Sequence, residues 1–150
     1  KCERKSDRLS SCIAGEYQIE ITPRGCNADG FYGVVSSDTA PSVDLMDGLL
    51  SEQQVVARLP EGQFVCSVAS ARKPGEEASW SYVMAIPADS VPACKGKAVC
   101  AQNQGRRIEW IKPPTGTACR RQSTGYIGYI GDCAEGWVRS EEFGEFSTGL

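Results

Sequence analysis

The 150-residue chain contains no histidine. That absence excludes Ser-His-Asp triads, Cys-His nucleophile pairs and His-ligated metal centres together. No two cysteines stand at a C-x-x-C spacing, which removes the zinc-ribbon and thioredoxin-like readings as well. Apolar runs are only a few residues long, so no membrane-spanning helix is expected. No hydrophobic leader opens the sequence either.

What the chain does have is eight cysteines: Cys2, Cys12, Cys26, Cys66, Cys94, Cys100, Cys119 and Cys133. An even number, dispersed and without metal-ligand spacing, fits four disulfides made in an oxidising compartment. The expected product is therefore a mature secreted or periplasmic protein whose leader has been removed. Connectivity stays open, although Cys94 and Cys100 are close enough to pair locally. The length suits a single domain with a real core, and 41% apolar residues are enough to fill one.

Charge is unevenly placed. Residues 94–121 hold seven basic side chains and one acidic, Glu109, for +6. The remaining nine basic and eighteen acidic side chains leave the rest at −9, and the whole at −3. A basic segment on an acidic body is either an electrostatic contact surface or a solvated loop.

The hydrophobic pattern is strand-like. Residues 17–22 alternate apolar and polar, and 31–35 (Phe-Tyr-Gly-Val-Val) form a second apolar run after turn chemistry at 26–30. These two are expected to make a hairpin. Further strands are expected at 54–59, 64–68 and 80–86, with turns at Pro60-Glu61-Gly62 and at 72–77. From 88 to 124 the pattern dissolves, leaving a strand-like Ile108-Glu109-Trp110-Ile111 and a short helix around 94–102. Regularity returns at 125–131 and 136–138. Trp80 and Trp137 read as core.

The segment from Val43 to Gly62, with its apolar pair and closing Leu-Pro-Glu-Gly, resembles the bacterial SH3-like (SH3b) pattern. Trp80-Ser81-Tyr82-Val83 looks like that family's W-x-x-V strand. Gly136-Trp137-Val138 through Phe143 is similar to its closing G-W-V-x-x-x-Y-L. Met46 and Leu49 stand where the family has arginine and proline. The resemblance implies a mostly β fold built as a small SH3-like barrel over 41–146. An N-terminal hairpin extension over 1–40, a disulfide-bounded insertion at about 88–124 and a frayed tail at 147–150 complete the expected layout.

Carboxylate pairs such as Asp44 with Asp47, or Glu76 with Glu77, could serve a histidine-free glycosidase. Among 19 acidic residues such neighbours are inevitable, and none is singled out. The glycines of 125–131 open no helix, so they suit strand bending better than phosphate cradling. The stretch from Arg106 to Lys112 mixes basic and aromatic residues as single-strand binders do, but the acidic whole argues against nucleic acid.

The expectation is a non-catalytic binding protein, without cofactor or metal, that recognises another protein. Its role would be that of an inhibitor or immunity factor against a cell-wall-degrading toxin with an acidic surface or cleft. Arg106, Arg107, Trp110 and Lys112 are the expected contacts, since Trp and Arg dominate interface hot spots. A groove around Asp44, Asp47 and Tyr82 is the alternative site. A peptidoglycan- or cell-wall-binding SH3b module, taking glycan or peptide, is the alternative function, and a small hydrolase is a third.

Overall fold

A computed structural model describes residues 2–6, 9–21, 26, 30–102, 107–122 and 129–146. The described residues form thirteen strands and little helix. In chain order these are β1 (Cys2–Ser6), β2 (Leu9–Ala14), β3 (Tyr17–Ile21), β4 (Phe31–Val35), β5 (Ser42–Met46), β6 (Val55–Pro60), β7 (Phe64–Arg72) and β8 (Trp80–Ala85). Two 3-10 turns and the short helix α1 (Ala98–Gln102) follow, then β9 (Glu109–Trp110), β10 (Arg120–Arg121), β11 (Tyr129–Ile130), β12 (Glu135–Arg139) and β13 (Phe143–Glu145). No helix among them is long and apolar enough to cross a membrane. Among the described residues of 88–102 and 107–122, regular structure is confined to short pieces, as the prolines and glycines there lead one to expect.

Eleven strands join in one antiparallel sheet whose main path runs β1-β2-β3-β7-β8-β12-β5-β6-β9. β8 lies between β7 and β12, and five of its six side chains are buried. Its Trp-Ser-Tyr-Val-Met-Ala sequence is apolar enough to be covered on both faces. β5 is more peripheral and alternates: Val43 and Leu45 are buried while Asp44 points out.

Two expectations are corrected here. Residues 17–21 and 31–35 do not pair with each other. Both lie along the same edge of β7, β4 against 64–67 and β3 against 69–72, with the register shifting between Ser67 and Ala69. A nine-residue strand bent by a bulge offers room for two successive partners. Nor is the sheet a closed barrel, because its ends, β1 and β9, are not joined. The edges that could have closed it are occupied, that of β7 by β4 and β3 and that of β6 by β9. The expected tail at 147–150 lies outside the described residues, whereas Phe143–Glu145 is a strand paired with β4.

Three apolar clusters hold the sheet. Val43, Leu45, Leu59, Val65, Val83 and Val138 form one. Tyr32, Phe64, Met84 and the Cys26–Cys66 bridge anchor a second. The third stacks Trp80 and Trp137 against Tyr17, Ile19 and Ile21, which fixes the N-terminal strands to the body. Disulfides Cys94–Cys100 and Cys119–Cys133 fasten the irregular region. Cys12 is disulfide-bonded too, and Cys2 stands opposite it in the β1–β2 register. Three bridges within one chain fit an oxidising compartment.

Candidate functional site

The segment 107–112 runs along the sheet edge rather than standing away from it. Trp110 faces Ala57 and Glu109 faces Arg58 in the β9–β6 register. Just beyond, the backbone N–H groups of Ile111 and Lys112 both donate to the Val56 carbonyl, at 3.1 and 3.0 Å. Ile108 and Trp110 are half-buried against the Val43–Leu45 cluster. Arg107 is exposed, and Ile111 presents 46% of its surface. Arg106 lies outside the described residues. The edge thus presents a half-buried aromatic ring braced by the core, with exposed Arg107 three residues before it and exposed Ile111 next to it in sequence.

Lys112 Nζ is 3.4 Å from Asp47 Oδ2, so one expected contact is tied to a member of the alternative groove. Asp47 also accepts the Gln54 backbone N–H at 2.8 Å. That hydrogen bond, and then the Lys112 ammonium, hold its carboxyl below the usual range. Arg58 bridges the same two regions, through Nε to Asp44 at 2.9 Å and through Nη1 to Glu109 at 2.7 Å. Glu109 first, then Asp44, raise the guanidinium pKa.

The three groove residues do not converge. Tyr82 directs its hydroxyl to Glu135 Oε1 at 2.9 Å and meets Trp137 edge-on, with centroids 5.2 Å apart. Burial, then the Glu135 carboxylate, push its hydroxyl pKa far up. Asp44 instead lines a cleft of about 600 Å³ between the 36–40 loop and the 139–142 turn. Its floor includes Met46 and the buried Trp80, over whose ring the Arg139 guanidinium sits at 4.8 Å. Glu142 accepts the Arg139 backbone N–H at 3.0 Å, yet partial burial outweighs that bond and raises its carboxyl pKa.

The basic segment is less uniform than its composition. Arg121 is used internally, with Nε on the Ser90 carbonyl at 3.0 Å and its guanidinium over Tyr129 at 5.5 Å. Lys95, Lys97, Arg107 and Arg120 remain exposed. A second cavity of about 640 Å³ is lined by the 88–98 turns, Lys95 and Lys97 among them, and by Cys100. Among the described residues no group of three or more acidic or cysteine side chains could hold a metal ion.

Ser70-Ala71-Arg72-Lys73 carries an S-x-x-K spacing, but it lies at the end of β7, which stops at Arg72, and not on a helix. Lys73 Nζ turns to Glu16 at 3.1 Å instead. The roles of Arg58 and Arg139 had no sequence signal of their own, because their partners lie on separate strands. No protein-family model, curated protein or solved structure matches this chain.

Proposed function

We propose that this is a non-catalytic binding protein of an extracellular or periplasmic compartment, which recognises another protein as an inhibitor or immunity factor does. Its body is read as an elaborated, open variant of the SH3b-like arrangement. The observation that carries the proposal is the β9 edge, where Trp110 is braced by the core in a stretch that also exposes Arg107 and Ile111. Tryptophan and arginine are the residue types most enriched at interface hot spots, and bracing lowers the entropy lost on binding. The exposed cations of residues 95–120 would steer an acidic partner toward it.

The test is capture from the native secretome or periplasm with wild-type protein and with an Arg106→Ala/Arg107→Ala variant. A partner held by wild type and released by the variant is expected, with affinity loss of roughly 2 kcal/mol or more. Equal binding by both at low salt would end the β9 reading. The runner-up is a peptidoglycan-binding module, supported by the SH3b-like spacing and by a cleft at Asp44; sedimentation with purified cell wall would reveal it. Turnover of wall fragments would instead support a hydrolase.

A further inference from the structure

Where β4 gives way to β3 along the edge of β7, a small pocket of about 360 Å³ opens over the sheet. Strand register builds its floor. Glu20 stands opposite Ser70, and Ser70 opposite Ser81, so the three side chains form one row on one face of β3, β7 and β8. Phe31 pairs with Ser67 beside that row. Phe143 and Glu145, two apart on β13 and so on one face of it, complete the wall. Ser81 is only 8% exposed, and among the described residues its hydroxyl has no hydrogen-bond partner. Protein does not enclose it, because the pocket reaches it. A hydroxyl so deep in a fold costs free energy unless something bonds it.

We propose that this pocket takes one pyranose ring of a glycan, with its hydroxyls equatorial. The site goes beyond the protein-binding edge and is built on other strands than β9. Its volume lies at the small end of ligand pockets, the scale of a single sugar ring. Ser70 makes no side-chain hydrogen bond among the described residues, and Ser67 Oγ reaches only the Ala69 carbonyl, at 3.5 Å. The floor is therefore a set of free hydroxyls that can donate and accept, as sugar hydroxyls do. A lysine head would suit the carboxylates but offers the serines no acceptor. At the rim, Glu145 pairs with no cation among the described residues, and Glu20 is 3.7 Å from Arg72. Both carboxylates can accept further sugar hydroxyls. Phe31, 46% exposed, leaves ring surface for the apolar C–H face that equatorial substitution creates, since those hydrogens suit the negative face of an aromatic ring.

The probe is cellotriose, titrated into the full chain and followed by NMR at the Phe31 ring protons and the Ser70, Ser81 and Glu145 amides. Saturable shifts at those positions are expected, with sorbitol, which has hydroxyls but no ring face, producing none. Ser81→Ala should weaken the probe about tenfold, the scale of one hydrogen bond. Its urea midpoint should be no lower than that of wild type, because the hydroxyl bonds nothing inside the fold. Phe31→Leu keeps an apolar side chain but removes the aromatic face, and should weaken the probe at least as much. It decides the matter if the first variant is misfolded. Glu76→Gln, in the β7–β8 turn, should change nothing.

Equal shifts with sorbitol, or shifts that never saturate, would overturn the proposal. Wild-type affinity in a folded Ser81→Ala or Phe31→Leu variant would do the same. Tighter binding of Nα-acetyl-lysine methylamide at the same positions would reassign the pocket to a cationic side chain and overturn the sugar. An Arg106→Ala/Arg107→Ala variant should bind cellotriose as wild type does, so loss of the protein partner and loss of the sugar are read separately.

Discussion

Arg58 and Glu109, fifty-one residues apart, meet with Nη1 2.7 Å from Oε2 and so join the body of the sheet to its outermost strand. The same guanidinium reaches Asp44 through Nε. One side chain therefore links the β9 edge, where the partner contact is proposed, to the acidic cleft. Both groups are well exposed, so the pair fixes geometry rather than supplying much stability. It holds β9 in register opposite Ala57 and Arg58, which sets the direction in which Trp110 is presented.

Trp110→Ala separates packing from contact. The ring is only half-buried, so its loss should cost roughly 1–3 kcal/mol, less than truncating a fully buried tryptophan. Urea unfolding followed by circular dichroism measures this. The variant is expected to fold and to lose partner binding; an unfolded variant would make Trp110 a core residue and remove it as an anchor.

The disulfides should differ in weight. Loop entropy gives about 4 kcal/mol for Cys26–Cys66, which spans 40 residues, and about 2 for Cys94–Cys100, which spans six. Paired Cys→Ser replacements compared by thermal melting should follow that order. Thiol titration of denatured, unreduced protein should find no free thiol, and peptide mapping should join Cys2 to Cys12. Two or more free thiols per chain would refute four bridges.

Asp132 predicts one component of acid sensitivity. Its carboxylate accepts the Thr115 N–H, the Thr115 hydroxyl and the Gly116 N–H, each at 2.8 Å. The Thr115 backbone N–H is the largest of the influences that lower its pKa in the fold. A folded pKa below the unfolded one contributes stability that is complete above the ordinary carboxylate range. It is lost as pH falls through the lowered value. Asp132→Asn should therefore unfold more easily than wild type at neutral pH, with the gap narrowing in strong acid. Glu142 has the opposite sign. Its raised carboxyl costs stability as pH climbs through the ordinary range toward the folded value, so Glu142→Gln should flatten that decline.

Gly33→Ala tests the junction of β4 and β13. A methyl group there would collide with the Gly144 carbonyl across the pair. Backbone is the obstacle, so relief requires the strands to part, at a cost on the order of 1–3 kcal/mol. Weaker protection of the Phe143–Glu145 amides in hydrogen exchange would locate the damage, and unchanged protection would refute the junction.

Strand positions were largely legible because they depend on local pattern. Alternation at 17–21, the apolar aromatic run at 80–85 and the Pro-Glu-Gly turn at 60–62 each announced their element. β1 and β2 were not anticipated, since Cys2–Ser6 is mostly polar and charged and Leu9–Ala14 interrupts its apolar residues with Ser10-Ser11. The expected hairpin between 17–22 and 31–35 failed for a different reason. Both runs are good strands, but β7 was the longer and more apolar partner for each.

Composition by itself determined the oxidised, mostly β character of the chain and the burial of Trp80 and Trp137, because those follow from residue type and short-range periodicity. Tertiary structure alone decided which edges met, why the sheet stayed open and where the polar groups gathered. The cleft draws Asp38, Asp44, Arg58 and Arg139 from separate segments. The edge site needs Glu109 to meet Arg58 across fifty-one residues. Polar side chains leave no periodic trace of their partners, so such constellations exist only once the strands have chosen their neighbours.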